Sequence, residues 1–184
     1  MVSTWERKGR MSNYLNSYYR GNRACFSILI LLLLGGVSGC KEEIAKVGAE
    51  APPVAAFDVR HQEIKLETYR GKPLVLEFWS ESCGVCLLMM KDWQNLVQAR
   101  PDDLTVIGVN IDDKNVDFNA VADELGITFL LGKDQLGITQ ERYLVSVTPT
   151  TFFIDKHGVI DKMHVGYSTG MDLNNYINQL KNQK

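Results

Sequence analysis

The chain has 184 residues, of which 45% are hydrophobic and 23% are charged, and its formal net charge is −2. This length and composition are typical of one globular domain and exclude a disordered or fibrous protein. The residues before Cys40 include five basic and one acidic side chain, and the remainder has 15 basic and 21 acidic residues, a net charge of −6. This acidic remainder offers no broad basic face to a nucleic acid, and none is expected as a partner.

The basic start of the chain runs into a short apolar segment. Residues Ala24–Val37 are fewer than the roughly 18 residues that a membrane-spanning helix needs, and they are typical of a signal-peptide core. We therefore interpret residues 1–39 as a signal peptide, with Met11 as an alternative start. The tetrapeptide Val37-Ser38-Gly39-Cys40 resembles the bacterial lipobox, which implies lipidation of Cys40. An ordinary cleaved signal and an uncleaved anchor are the alternatives.

These assignments leave two of the four cysteines in the exported part of the chain. Cys25 lies in the predicted signal peptide and Cys40 would carry lipid, so only Cys83 and Cys86 remain. One pair cannot make the disulfide framework of a small secreted scaffold. A disulfide between residues so close together also adds little stability by chain entropy, which argues against a purely structural role.

The exported chain begins with a charged stretch that has no apolar period. We interpret residues 40–51 as a tether and residues 52–184 as the domain. Residues 54–59 and 63–69 are predicted to be short strands around a turn. The apolar run Leu74–Trp79 is typical of a strand that is buried on both faces.

A helix is predicted from Cys83 to about residue 99. Its expected buried side chains are Val85, Leu88, Met89, Leu96 and Val97.

The remaining pattern alternates strands and helices. The further elements are a strand at 104–111, a helix at 115–126, a short strand or loop at 127–131, a helical turn at 138–143, strands at 150–154 and 159–165, and a helix at 171–182. This order predicts an α/β sandwich around a mixed sheet.

The two remaining cysteines are placed where a buried strand passes into a helix. Cys83 would face the unpaired N–H groups at the helix N-terminus, which favours its thiolate form. Cys86 would lie one turn further on and be less exposed. An outer nucleophile with an inner partner is the arrangement that disulfide exchange requires.

Three segments of the sequence carry a family resemblance. "IKLETYRGKPLVLEFW", "LVLEFWSESCGVC" and "VTPTTFFI" resemble the thioredoxin superfamily, and most closely its TlpA/ResA-like membrane-anchored thiol–disulfide oxidoreductases. The resemblance covers about residues 52–180. It implies a thioredoxin-like fold, with a mixed sheet flanked by helices, an N-terminal β-hairpin and an inserted helix.

The same resemblance implies a function. The chain would be an enzyme on the extracytoplasmic, periplasmic side of a bacterial membrane that reduces disulfides in exported proteins with the Cys83/Cys86 dithiol and without a cofactor. Its partners would be client proteins or thiol–disulfide carriers, an upstream electron donor, and the membrane through the N-terminal lipid. Which membrane is left open.

The resemblance also assigns roles to four residues beside the cysteines. Pro149 would be cis and face them, and the backbone of Thr148 would pair with an extended substrate segment. Trp79 would belong to the substrate-binding surface. Glu77 would accept the proton of the inner thiol, and burial amid apolar neighbours should raise its pKa.

Three of these assignments have a simpler alternative. Pro149 could be a trans proline that begins a strand, Trp79 a core aromatic residue, and Glu77 an edge carboxylate that points to water.

The sequence departs from the family pattern at several positions. Ser82 replaces a tryptophan and Val85 replaces a frequent proline, while Gly108 stands where thioredoxins carry a lysine near the buried carboxylate. The residues between the cysteines carry no charge, and Glu81 lies two residues before Cys83, so we expect a reducing couple.

Three other functions are compatible with the sequence. A carrier of Cu(I) or zinc could use both thiolates with Met89, Met90 and His164, although we expect no metal site. A thiol peroxidase could use Ser80, three residues before Cys83. A non-catalytic binding module is the third. His61, His157 and His164 are otherwise read as surface or turn residues.

Overall fold

A computed structural model describes residues 43–170 and 172–182. The predicted signal peptide and Cys40 lie outside these residues. In the described part of the chain, no helix combines the length and the apolar character needed to cross a membrane.

The described residues form six strands and four α-helices. The strands are β1 (Phe57–Asp58), β2 (Leu74–Trp79), β3 (Thr105–Asn110), β4 (Leu130–Lys133), β5 (Thr150–Ile154) and β6 (Ile160–Val165). The helices are α1 (Gly84–Ala99), α2 (Phe118–Leu125), α3 (Ile138–Arg142) and α4 (Leu173–Asn182), and a 3-10 helix spans Leu66–Tyr69.

One mixed sheet organises the domain, with the strand order β1-β4-β3-β2-β5-β6. The central strand β2 runs parallel to β3 and antiparallel to β5. All six residues of β2 are buried, as its continuous apolar run predicts. The expected thioredoxin-like α/β fold is confirmed.

The two faces of the sheet are covered differently. The face that carries Val75, Glu77 and Trp79 is covered by α1, α2 and α4, and we call it the helical face. The opposite face carries Leu76 and Phe78, and it packs against Tyr143 and the N-terminal segment. The disulfide motif follows the end of β2 and opens α1 on the helical face.

The predicted N-terminal hairpin is much reduced. Phe57 and Glu63 form a single antiparallel bridge, while β1 pairs with β4. The predicted second strand, residues 63–69, is wrong over its second half, which forms the 3-10 helix. Leu66 and Tyr69 both pack on the core, and three residues per turn place side chains of this spacing on one side.

The predicted tether is wrong over residues 45–51, because this segment is bound to the domain. The N–H groups of Ala45, Gly48 and Ala51 donate to the carbonyl oxygens of Arg142, Ile160 and Gly158, at 2.8, 2.8 and 2.9 Å. Ala45 and Ala51 also pack against the core. The compact fold therefore begins before residue 52.

The buried side of α1 also differs from the prediction. Val85 and Leu88 are 46% and 50% exposed. The helix instead buries Cys86, Met89, Met90, Trp93, Gln94 and Leu96. The bulky Trp93 donates a hydrogen bond to Glu77, so this residue faces the sheet and turns Val85 and Leu88 to solvent.

Candidate active site

Cys83 and Cys86 form a disulfide at the start of α1, with an S–S distance of 2.05 Å. Cys83 is the N-cap residue of this 16-residue helix, and its Sγ accepts a hydrogen bond from the N–H of Cys86 at 3.2 Å. The helix N-terminus carries partial positive charge and unpaired N–H groups. The position therefore stabilises a thiolate at Cys83 once the pair is reduced.

The two sulfurs differ in their access to solvent. Cys83 is partly exposed, whereas Cys86 is fully buried with Trp79 and Met90. A substrate can therefore reach only Cys83. The attacking and resolving roles expected of Cys83 and Cys86 stay predictions, and this difference in access is compatible with them.

The segment before β5 lies against the disulfide. The Thr148–Pro149 peptide bond is cis, as the resemblance implies. The carbonyl oxygen of Thr148 lies 3.6 Å from Sγ of Cys83, within reach of a hydrogen bond once that sulfur carries a proton. The neighbouring Val147 and Val85 are both exposed, which leaves apolar surface beside the sulfur.

Glu77 is fully buried in the middle of β2. Its Oε2 accepts hydrogen bonds from the indole N–H of Trp93, at 3.2 Å, and from the hydroxyl of Thr151, at 2.5 Å. Its Oε1 has no partner among the described residues. Burial raises the pKa of Glu77 to about 7, against the lowering effect of the two hydrogen bonds. The alternative of an exposed edge carboxylate is therefore wrong.

Trp79 does not lie on the substrate-binding surface, because it is fully buried. Its ring packs against that of Phe118, with a centroid distance of 5.9 Å, and against Gly108. A Cβ atom on Gly108 would lie 3.2 Å from Nε1 of Trp79 and 2.8 Å from Cδ2 of Leu131. The indole thus occupies the space that a lysine at position 108 would need.

The loop before Cys83 is held by Asp112, a residue that the sequence analysis missed. Its carboxylate accepts hydrogen bonds from the hydroxyl of Ser80, from the N–H of Glu81 at 2.8 Å, and from Nδ2 of Asn110 at 2.7 Å. Although partial burial raises the pKa of Asp112, these hydrogen bonds lower it below its usual value. Asp112 is thus an ionised anchor for the loop.

Lys133 of β4 stabilises the segment around Asp112 with three hydrogen bonds. Its ammonium group donates to Oδ1 of Asn110 at 3.0 Å, to the carbonyl of Asp112, and to the carbonyl of Lys114 at 2.9 Å. One signal for the cluster was available in the sequence. The adjacent strands β2 and β3 are parallel, so Ser80 and Asp112, which follow their ends, meet at one edge of the sheet.

The residues that suggested a thiol peroxidase or a metal carrier have other roles in the structure. Ser80 donates its hydroxyl proton to Asp112 and not to Cys83. Met89 and Met90 are core residues, and His164 lies on β6. Within residues 43–170 and 172–182, no group of three or more His, Cys, Asp or Glu side chains is arranged to hold a metal ion.

Comparisons with known proteins extend this description. The model of the AhpC/TSA family matches residues 47–163. The thiol-disulfide oxidoreductase ResA of Bacillus cereus is 27% identical over 168 residues, which cover 86% of this chain and 97% of ResA. The thioredoxin-like protein YneN of Bacillus subtilis is 29% identical over 156 residues, 79% of this chain and 91% of YneN.

A solved structure shows the same architecture. The crystal structure of a thiol:disulfide interchange protein DsbE from Chlorobium tepidum has a TM-score of 0.66 to this chain and 28% sequence identity, and the match covers 74% of this chain and 99% of that one.

Proposed function

This chain belongs to the AhpC/TSA family, and from this premise we propose that it is a thiol–disulfide oxidoreductase that reduces disulfides in exported proteins. The observation that carries the proposal is the pairing of an accessible Cys83 at a helix N-terminus with a fully buried Cys86. The names of ResA and of the Chlorobium tepidum protein support the same reaction class.

The reaction follows from the two positions. In the reduced protein, the thiolate of Cys83 attacks a substrate disulfide, forms a mixed disulfide and expels one substrate thiolate. Cys86 then attacks the sulfur of Cys83, the second substrate thiolate leaves, and the Cys83–Cys86 disulfide forms. Glu77 accepts the proton that Cys86 must lose. Two electrons pass to the substrate, and an external dithiol donor must restore them.

We propose that electron flow runs in the reducing direction. No charged residue lies between the cysteines to stabilise a thiolate, and the protonated fraction of Glu77 near neutral pH reflects an environment that disfavours added negative charge. We expect a potential nearer to the thioredoxin value of about −270 mV than to the DsbA value of about −120 mV. Equilibration with glutathione redox buffers measures it, and a value above about −180 mV would contradict the reductase direction.

Trapping of reaction intermediates tests the assigned roles. The Cys86→Ser variant should accumulate mixed disulfides with client proteins, because the resolving thiol is missing, and these adducts should disappear on treatment with dithiothreitol. The matched Cys83→Ser variant should trap nothing. Trapping by Cys83→Ser alone, or by neither variant, would contradict the mechanism.

We further propose that the domain is exported and held at the extracytoplasmic face of a bacterial membrane by lipid on Cys40. Two or more acyl chains give stable anchoring, whereas one chain binds only marginally. Since the domain begins by Ala45, the tether would reach at most about 17 Å at about 3.4 Å per residue. Cys40→Ser should leave an unprocessed precursor or release the domain; a processed, membrane-bound variant would contradict the anchor.

A further inference from the structure

Four residues in register cross the helical face of the sheet at the level of Glu77. Glu77 is paired with Gly108 of β3 on one side and with Thr151 of β5 on the other, and Thr151 is paired with His164 of β6. Registered partners on neighbouring strands point to the same face of a sheet. The side chains of Glu77, Thr151 and His164 therefore form one polar row that ends on the edge strand β6.

The side chains beside this row are mostly apolar where it is buried. The neighbouring row on the same face contains Val106, Val75 and Phe153, and the row on the other side contains Trp79. All four of these side chains are almost fully buried. The buried polar side chains beside the row, Trp93 and Asn110, have no group that titrates near neutral pH. The row is therefore the route across the sheet that leads from Glu77 to another titratable side chain.

Thr151 is hydrogen-bonded to one of its two neighbours in the row, Glu77, and the other neighbour, His164, has a buried nitrogen without a partner among the described residues. Thr151, which is fully buried, donates its hydroxyl proton to Oε2 of Glu77. Nε2 of His164 is buried and has no partner among the described residues, although the residue as a whole is partly exposed. A buried polar atom without a partner costs free energy, so its retention in the row calls for an explanation.

The hydroxyl of Thr151 can connect the two titratable groups. It has one proton and two acceptor lone pairs, and it rotates freely about its C–O bond. Directly opposite residues of an antiparallel pair have Cβ atoms about 4.5–5.5 Å apart. With a rotation of Thr151 and a movement of the imidazole, the hydroxyl can donate its proton to Nε2 of His164 while its oxygen accepts a proton from Glu77.

The other ionisable groups on this face are engaged elsewhere. Tyr167 donates to Asp92 of α1 at 2.9 Å, Tyr176 of α4 donates to Asp161 at 2.6 Å, and Nζ of Lys162 lies 4.7 Å from the ring centroid of Tyr176. These five residues are outside the row. Along the row itself, the only titratable groups among the described residues are Glu77 and His164.

We propose that Thr151 and His164 carry the proton of Glu77 between the buried active site and solvent at the edge of β6. This inference rests on the proposed function. When Cys86 attacks, its proton passes to the carboxylate of Glu77. Glu77 then gives a proton to the oxygen of Thr151 as the hydroxyl proton moves to Nε2 of His164, and the imidazolium releases a proton to water. Re-reduction of the disulfide runs the same transfers backwards. His164 acts through Glu77 and is a positioning residue of the proton path.

A two-step reaction with 5,5′-dithiobis(2-nitrobenzoate) tests the path. Attack by Cys83 of the reduced protein releases one equivalent of thionitrobenzoate, and resolution by Cys86 releases the second. In weak buffer at pH 7, part of the reduced protein carries a protonated Glu77, which must lose its proton before Cys86 can be deprotonated. For this fraction we expect His164→Ala to slow the second release about tenfold, less than the roughly 10²–10⁴-fold of direct general acid–base catalysis because His164 acts through Glu77, and to leave the first unchanged. Added imidazole should restore the second release in this variant.

Matched variants separate the path from a structural role. Lys162→Gln alters the same strand and face two residues away, and it should leave the second release unchanged. Thr151→Val should slow the second release without rescue by imidazole, whereas Thr151→Ser, which keeps the hydroxyl, should not. If His164→Ala does not fold, His164→Gln gives the same readout, because its amide cannot take up a proton.

The possible results distinguish failure of the proton path from failure of the proposed thiol–disulfide oxidoreductase function. A second release in His164→Ala within twofold of the unsubstituted protein, or one that imidazole fails to restore, overturns the proton path alone. Release of only one equivalent by the unsubstituted protein would instead contradict the thiol–disulfide mechanism itself.

Discussion

Among single residues, Glu77 carries a large electrostatic cost, because it is a fully buried carboxyl group and one of its oxygens has no partner among the described residues. Hydrogen bonds from Trp93 and Thr151 offset only part of the desolvation, so the pKa rises from 4.5 to about 7. Near neutral pH the group can both take up and release a proton. A buried group with such a pKa is suited to general base catalysis.

The same shift makes the stability of the domain depend on pH. Because the pKa of Glu77 is raised on folding, its favourable contribution is complete below pH 4.5 and is lost as pH rises to and beyond about 7. At 1.36 kcal/mol per pKa unit, the loss amounts to about 3 kcal/mol. Glu77→Gln should therefore exceed the unsubstituted oxidised protein in unfolding free energy at pH 8 by up to that amount.

Urea unfolding of both proteins at pH 4 and pH 8 measures this difference. The advantage of Glu77→Gln should shrink towards zero at pH 4, where both side chains are neutral. An advantage of equal size at both pH values would show that packing, rather than charge, separates the two proteins.

At the scale of elements, the site depends on how the β2–α1 loop is fastened to the β3–α2 loop. The helix N-terminus places Cys83, but Ser80 and Glu81 of the preceding loop are exposed or partly exposed. Their hydrogen bonds to Asp112 are the contacts that fix this loop.

Removal of the anchor should loosen the loop without unfolding the domain. Asp112→Ala removes the acceptor for Ser80, Glu81 and Asn110, and we expect a stability loss of about 1–3 kcal/mol. Amide hydrogen exchange at Glu81 should become faster, since its N–H loses its partner. The exposed Asp113 carries the same charge next to the site, so Asp113→Ala is the control. Equal exchange rates in both variants would contradict the role of Asp112.

The elements that the sequence predicted well are those whose pattern has one explanation. The run Leu74–Trp79 is apolar throughout, and only a strand covered on both faces accommodates it. Residues 63–69 contain alternating apolar positions, but only Ile64 is fully buried there, and Leu66 and Tyr69 satisfy a three-residue period equally well.

In the candidate site too, features set by local sequence could be predicted, whereas contacts between distant segments could not. The cysteines and Glu77 could be identified because their spacing is local. The burial of Trp79 depends on Gly108 and Leu131, and the partner of Glu77 depends on the register of β5. Neither contact leaves a local pattern in the sequence.

At the scale of the whole molecule, the N-terminal segment joins parts of the chain that are far apart in sequence. Residues 45–51 bond to the end of α3, to the end of the β5–β6 turn and to the start of β6. Glu50 also pairs with Arg70, which packs beside Gly158. These contacts lie on the face opposite to α1, so the segment is expected to stabilise the fold and to take no part in the chemistry.

Truncation separates these two contributions. A chain that begins at residue 52 loses the four backbone hydrogen bonds that Ala45, Gly48, Ala49 and Ala51 make with the domain. At about 0.5–1.5 kcal/mol each, and after the entropy that the freed segment regains, we expect a stability loss of about 1–3 kcal/mol relative to a chain that begins at residue 43. Urea unfolding at one pH measures the loss.

Both releases of thionitrobenzoate should keep their rates in the folded truncated protein, because the cysteines, Glu77 and Asp112 retain every contact. Unchanged stability would show that the segment merely rests on the surface, and a slower second release would show that its contacts extend to the active site.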